Sequence, residues 1–287
     1  MKSGIIGIKC RNYTKSLLFT LLIIVIVFWS SGPIFVAIAS SFKSNKDIFT
    51  YKPVIIFKPV LENYIKLVSD WPVFFKALRN SIVATGLSIL TVLLLALPAA
   101  YSFSRRYCRG FKSVSLFLII VRMFPPIVIT IPLYPIFRSL GLIDTPWALI
   151  LVFTAFQLSI SVMLLKAFID SVPIELEEQA SIDGCTGIST FFKIILPLLW
   201  PGIIAIIIFV AIFSWNDFTF SFLLTGVKAK TAPVVIGEMQ GLLGTGSTMT
   251  WGMMFAASAI QFLPMLIFIW LTQKKLIGGY MLGSVKG

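Results

Sequence analysis

The chain has 287 residues, of which 58% are hydrophobic and 12% are charged, and its mean hydropathy is +0.98. A water-soluble domain does not need so much apolar material, so the composition indicates a membrane protein. The sequence contains no histidine, which excludes histidine-based catalysis, histidine metal ligands and histidine pH switches. The net charge of +13 comes from short Lys and Arg clusters beside apolar runs, which suit lipid headgroups and exclude nucleic acid as a partner.

Six apolar segments are long enough to cross a membrane, since a helix of about 20 residues spans about 30 Å of hydrocarbon. They are Leu17–Ala39, Ser81–Phe103, Val114–Tyr134, Ala148–Phe168, Leu198–Phe220 and Trp251–Leu271. The basic start followed by an apolar run and "AIAS" also resembles a cleaved signal peptide, but the run is longer than usual and favours an uncleaved span. The predicted fold class is an all-α polytopic membrane protein with six transmembrane helices. It forms a single domain, 1–287, with a first span at about 17–39 and a core at about 80–271.

Prolines in the second, third and fifth segments predict kinks or broken helices inside a packed bundle. The residues are Pro98 in the second segment, Pro125, Pro126 and Pro132 in the third, and Pro201 in the fifth.

The distribution of Lys and Arg favours cytoplasmic N- and C-termini. With that orientation the inside segments carry 13 positive residues and the outside segments carry 10. The short connection 104–113 carries four positive residues and no acid, and short loops determine orientation. Cys10, Cys108 and Cys185 then lie on the reducing side, and because they lack ligand spacing they are interpreted as free thiols.

The connection between the fourth and fifth segments, about 171–197, is unusually polar and is predicted to be cytoplasmic. Pro173, three glutamates and Gly184 predict a short helix from its first turn to its stop. Ile188, Phe191, Phe192 and Ile195 then share one face of a second short helix that ends at Pro197. Two helices this short bury too little to be stable alone, so their apolar faces need the bundle or a partner protein.

Within this connection, Glu178, Gln179, Ala180, then Gly184, and then Ile194 to Pro197 resemble the EAA motif of permease subunits of binding-protein-dependent ABC importers. Gln179 departs from the motif, where alanine is usual. The stretches "RMFPPIVITIPLYPIFRSLGLIDT", "SWNDFTFSFLLT", "MTWGMMFAAS" and "GYMLGSVKG" resemble the smaller, six-span subunit of maltose-type carbohydrate importers, over about residues 80–287. The resemblance implies a sugar substrate, a second permease subunit, two ATP-binding subunits and an extracytoplasmic solute-binding protein. It also implies a bacterial or archaeal cytoplasmic membrane.

By this resemblance the connection is a cytoplasmic two-helix coupling loop that docks on an ATP-binding subunit. The residues predicted to couple are Glu177, Glu178, Ala180, Asp183, Gly184, Leu196 and Pro197. The chain itself is not expected to be an enzyme, because it has no Gly-Lys dipeptide and therefore no Walker A loop. ATP and Mg are expected on the partner subunits, and no cofactor or metal is expected in this chain. "GLLGTGST" at Gly241–Thr248 lacks the lysine and by resemblance is an external loop that touches the solute-binding protein.

Polar residues at membrane depth are candidates for a substrate pathway, because they are costly unless they are paired or face water. The candidates are Arg122, Gln157, Trp215, Asn216 and Asp217. Their amide, carboxylate and aromatic groups suit a sugar. The alternative is an internal pairing of Arg122 with Asp217, or a helix cap, that only stabilises the bundle.

Three further questions stay open at the level of sequence. The tail 272–287 is either a frayed end or, by resemblance, a contact of the ATP-binding subunits. An importer for a non-sugar solute shares the loop and differs only in the pathway. An ion-driven secondary transporter requires paired carboxylates or repeats within the spans, and the segments contain one buried acid, Asp217, and no obvious repeat.

Overall fold

The structure is a computed structural model that describes the backbone of residues 3–52, 54–105, 111–243 and 248–283. Side chains are described for residues 17–52, 54–105, 113–117, 119–120, 123–243 and 248–273. Every regular element in the described part of the chain is helical, which confirms the all-α fold class.

The helices are α1 (Ser3–Ser41), α2 (Asn45–Ile48), α3 (Glu62–Asp70), α4 (Val73–Ser104), α5 (Phe111–Met123), α6 (Pro126–Ser139), α7 (Pro146–Asp170), α8 (Glu175–Ile182), α9 (Gly187–Thr190), α10 (Leu196–Leu198), α11 (Trp200–Asn216), α12 (Thr219–Leu224), α13 (Ala232–Leu242) and α14 (Trp251–Gly283). A π-helical turn, Phe191–Ile195, connects α9 to α10.

The described residues contain four helices that are long and apolar enough to cross a membrane. They are Leu17–Ser41 of α1, the whole of α4 and α7, and Trp251–Gln273 of α14. A fifth candidate is the pair Gly187–Leu198 and Trp200–Asn216, whose two parts are bent by 72°. The predicted count of six spans is therefore not confirmed by helix length.

Two predicted segments are divided or shortened in the structure. The third, Val114–Tyr134, is divided into α5 and α6. Pro126 lacks an N–H, and its ring excludes the helical conformation for the residue before it, so Pro125 has a ψ of 139°. The predicted broken helix is thus present at this site. The fifth segment ends at Asn216 and not at Phe220, since Asp217 is extended, with φ −67° and ψ 124°.

The chain divides into two compact units. The first unit comprises Met1–Trp71 and Leu242–Ile260. In it, the buried Asn63 donates from Nδ2 to the carbonyls of Ser41 and Lys43, both at 2.8 Å. A Cβ atom added to Gly252, at the start of α14, would lie 2.3 Å from Asn63 Oδ1, so glycine is required for this close approach.

The second unit comprises Pro72–Gly241 and Gln261–Gly287 and is built around α4, α7 and α11. Fully buried aliphatic side chains from these three helices form one cluster, which also contains Ile195 of the π turn. Thr91 of α4 and Thr154 of α7 share a hydrogen bond of 2.6 Å, and Ser104 donates to Asp170 further along both helices. The two helices therefore run in the same direction, as the second and fourth spans of one topology must.

Candidate coupling site

The polar connection begins with α8, whose local sequence explains both of its ends. Glu175, Glu177 and Glu178 occupy the first turn, where carboxylates interact favourably with the helix dipole. Gly184 has a φ of +81°, which an L residue adopts only with strain. The N–H of Gly184 donates to the carbonyl of Ser181 and the N–H of Cys185 to that of Ala180, the pair of bonds that defines a Schellman C-cap. The helix stop predicted at Gly184 is confirmed.

The second half of the connection is continuous with α11. Thr186 caps α9 by accepting a hydrogen bond from the N–H of Ser189 at 3.3 Å. The π turn follows, and the chain then bends by 72° at Leu199, between Pro197 and Pro201. Phe191 packs edge-on against Tyr101 of α4, with ring centroids 5.1 Å apart, so this part of the apolar face contacts the bundle. Phe192 is 59% exposed and does not share that role.

An exposed surface of the connection combines acidic and aliphatic side chains. Glu178 and Asp183 are exposed. Ile182 and Ile188 have 85% and 75% of their surface exposed, although both are aliphatic. An exposed patch of this kind marks a site for a partner or a lipid surface.

The other predicted coupling residues are distributed over different environments. Gly184 and Pro197 are exposed, Leu196 is half-buried, and Ala180 is buried with 3% exposure within its own chain.

Cys185 is a half-buried free thiol, while the side chain of Cys10 and all of Cys108 lie outside the described residues. Residues 272–283 continue α14, and 284–287 and 244–247 also lie outside them.

Glu177 faces the bundle. Its Oε1 accepts a hydrogen bond from Arg105 Nε at 2.6 Å, and its Oε2 accepts one from the Tyr101 hydroxyl at 2.6 Å. Arg105 also donates from a terminal nitrogen to the carbonyl of Val172 at 3.2 Å. Only 9% of the Arg105 side chain and 13% of the Glu177 side chain are exposed. In the sequence, Arg105 was only one of the positive residues that indicate orientation in the membrane, and no pattern identified Tyr101.

The predicted pathway residues whose side chains the structure describes lie in different environments. Gln157 is fully buried and donates to the Phe209 carbonyl at 3.4 Å, and Trp215 is 6% exposed. Asp217 accepts hydrogen bonds from the N–H and hydroxyl of Ser221 at 2.9 and 3.0 Å, so it caps α12. The helix-cap alternative therefore describes Asp217. Arg122 lies on α5, but its side chain is outside the described residues.

Asn216 is exposed beside this cap, at the break between α11 and α12. Its Nδ2 donates to the Ile212 carbonyl at 2.8 Å. Phe218 and Phe222 follow it and are stacked on each other, with centroids 5.2 Å apart, while 44% and 54% of their surfaces stay exposed. This break therefore presents an amide and two aromatic rings together.

A second carboxylate, Asp144 in the turn before α7, organises the loop after α12. It accepts hydrogen bonds at 2.8 to 3.0 Å from the N–H groups of four consecutive residues, Gly226, Val227, Lys228 and Ala229. Burial acts to raise the pKa of Asp144, but these four donors outweigh it and lower the pKa to about 2. Asn80 of α4 donates to the carbonyls of Lys228 and Lys230, both at 2.9 Å. The loop is thus preorganised, and the sequence analysis did not identify Asp144.

Several apolar helices of membrane-spanning length, joined in part by an exposed two-helix connection, define a polytopic membrane protein. Residues 92–275 match the family described as the binding-protein-dependent transport system inner membrane component. The chain is 35% identical over 241 residues to the trehalose/maltose transport system permease protein MalG of Thermococcus litoralis, covering 83% of this chain and 86% of that protein. It is 28% identical over 288 residues to the diacetylchitobiose uptake system permease protein DasC of Streptomyces coelicolor, covering both chains completely.

A solved structure supports the same fold. It is a bacterial ABC transporter involved in the import of the acidic polysaccharide alginate, with a TM-score of 0.76 and 20% identity, over 92% of this chain and 97% of that chain. The chain belongs to the inner membrane component family of binding-protein-dependent transport systems.

Proposed function

We propose that this chain is a permease subunit of an ABC importer that carries a sugar across the cytoplasmic membrane. The substrate class is an oligosaccharide, a disaccharide or a related polyol. Support comes from relatives whose names specify trehalose/maltose, diacetylchitobiose and sulfoquinovosyl glycerol transport, the last 32% identical over 251 residues. Their substrates share hydroxyl-rich rings, which require hydrogen-bonding groups and apolar faces in a pathway.

The exposed surface of α8 and α9 is the observation that supports coupling to another subunit. Glu178 and Asp183 offer charge to basic groups, and Ile182 and Ile188 offer apolar anchors. A partner that hydrolyses ATP supplies the energy, with ATP and Mg bound on two separate ATP-binding subunits. Closure of those subunits moves the connection, and the spans respond as rigid bodies.

The complete importer contains a second permease subunit and an extracytoplasmic solute-binding protein. A complex with a periplasmic protein that holds an alginate pentasaccharide is recorded for a transporter that resembles this chain in fold, at a TM-score of 0.60. In this proposal both termini and the coupling loop are cytoplasmic, and the loop anchored by Asp144 is external.

For the substrate pathway we retain Asn216 as a contact residue. Its amide is exposed, and the stacked rings of Phe218 and Phe222 lie beside it. An amide can bond to sugar hydroxyls, and aromatic faces pack on the apolar faces of sugars. Trp215 is buried next to Asn216 in the chain, and Asp217 caps the helix that follows.

Co-purification and reconstitution test the proposal. The tagged chain is isolated from its native membrane, its partners are identified, and the complex is reconstituted in liposomes with a candidate solute-binding protein. Uptake of radiolabelled di- and oligosaccharides is measured with and without ATP. We expect ATP-dependent uptake of at least one sugar. Recovery of the chain as a lone transporter whose uptake ignores ATP would overturn the proposal.

A further inference from the structure

The contact of Glu177 with the end of α4 links the first half of the coupling loop to a spanning helix. Both carboxylate oxygens are used, one by Arg105 Nε and one by the Tyr101 hydroxyl, each at 2.6 Å. The partners are 72 and 76 residues away in sequence, so the contact joins two separate parts of the fold. Both carboxylate oxygens of Glu177 are therefore hydrogen-bonded within the chain.

The contact is shielded from water. The exposed fractions of the two side chains are 9% for Arg105 and 13% for Glu177. Separating a buried pair leaves two uncompensated charges, so the pair resists separation more strongly than an exposed pair does. A force applied to α8 is therefore carried to the end of α4.

The α4 side of the contact is rigid. Val92, Ala96 and Ala100 of this helix are completely buried in a cluster with residues of α7 and α11. Close-packed interiors transmit a displacement because their side chains cannot be compressed. The second half of the loop reaches α11 directly through the bend at Leu199. The loop thus has two separate attachments, one to α4 and one to α11.

We propose that Arg105 and Tyr101 are positioning residues that transmit movement of α8 to α4 through their hydrogen bonds to Glu177. This inference rests on the proposed function, because it assigns a route for the same coupling. Both attachments must hold for the loop to rotate as a lever. Loss of the α4 attachment lets α8 move with the ATP-binding subunit while the pathway stays still.

Two variants separate this role from simple stabilisation of the fold. Glu177→Gln keeps the shape and removes the charge. Tyr101→Phe removes the hydroxyl and keeps the ring that packs on Phe191. The matched control is Glu62→Gln, which removes the charge from an exposed ion pair with Lys66 of similar length, 2.5 Å, in α3.

The readout is the number of sugar molecules imported per ATP hydrolysed by the reconstituted complex. We expect this ratio to fall about tenfold in both loop variants, the factor that corresponds to 1.4 kcal/mol, while ATPase activity and assembly persist. The double variant Arg105→Glu with Glu177→Arg exchanges the two charges and should restore part of the wild-type ratio of sugar imported to ATP hydrolysed. Glu62→Gln should leave this ratio unchanged.

Three results would overturn the inference. The first is an assembled Tyr101→Phe or Glu177→Gln complex with the wild-type ratio. The second is a loss of complex with an unchanged ratio in what remains, which indicates stabilisation only. The third is an equal fall in the Glu62→Gln control. If instead the wild-type complex imports sugar without ATP, the proposed function fails.

Discussion

Replacing Asp144 with asparagine isolates what its charge contributes to the loop after α12. Asp144 has a φ of +60°, in the left-handed region that asparagine also tolerates. Asp144→Asn therefore changes the charge and one acceptor without adding backbone strain, whereas alanine would change both. The four N–H groups of residues 226–229 then share a neutral amide oxygen.

The size of the effect follows from the pKa of Asp144. Burial acts to raise this pKa, but the four backbone donors lower it from 3.8 to about 2. The full difference corresponds to about 2.4 kcal/mol, and solvent screening of this half-exposed group reduces it to about 1 kcal/mol. Because the folded pKa lies below the unfolded one, the stabilisation is complete above about pH 4 and is lost as pH falls through about 2.

Hydrogen exchange measured by mass spectrometry on the detergent-solubilised chain reads this stabilisation directly. At neutral pH, Asp144→Asn should lower the amide protection of residues 225–231 by about fivefold, which corresponds to about 1 kcal/mol. The ratio of wild-type to variant protection should approach one as pH falls from 4 to 2. Asp70→Asn, in an exposed position of α3, is the control. Equal protection in wild type and Asp144→Asn, or a ratio independent of pH, would refute the reasoning.

Two further substitutions test close approach and backbone conformation. Gly252→Ala places a Cβ 2.3 Å from Asn63 Oδ1 and should lower the free energy of unfolding by about 1 to 3 kcal/mol, measured by thermal unfolding. Gly86→Ala, with open space around it, should not destabilise the protein. Equal melting temperatures of the two variants would contradict this. Because Gly184 has a φ of +81°, Gly184→Ala should destabilise this turn by about 1 to 2 kcal/mol, and Gly184→Asn should destabilise it less. The measurement is the increase in hydrogen exchange of residues 175–185. Indistinguishable exchange in the two variants would contradict the prediction.

Local signals in the sequence predicted much of the fold. The apolar lengths identified the helices α1, α4, α7 and α14, and consecutive prolines identified the break between α5 and α6. The glycine at position 184 predicted the end of α8 because the left-handed conformation is a property of a single residue. The count of six spans was less secure, since proline divides one segment into helices of 13 and 14 residues.

The tertiary pairings could not be predicted in the same way. Arg105 is 72 residues from Glu177, and Asp144 is 82 to 85 residues from its donors. No spacing rule covers such distances, so each residue was interpreted only by its local role. Asp217 is different, because an acid that precedes a short helix is a recognisable cap signal. Its charge at membrane depth indicated a pathway role, and the helix cap, given as the alternative to that role, matches the hydrogen bonds of Asp217.

The central claim is that the surface formed by α8 and α9 docks on an ATP-binding subunit, and site-specific photocrosslinking tests it most directly. A benzophenone amino acid replaces Ile182, which is 85% exposed on α8, or as a control Ile56, which is 93% exposed after α2. In the assembled importer we expect Ile182 to crosslink to the ATP-binding subunit and Ile56 not to do so. An assembled, ATP-driven importer with no crosslink from position 182, or with equal crosslinking from position 56, would contradict the account.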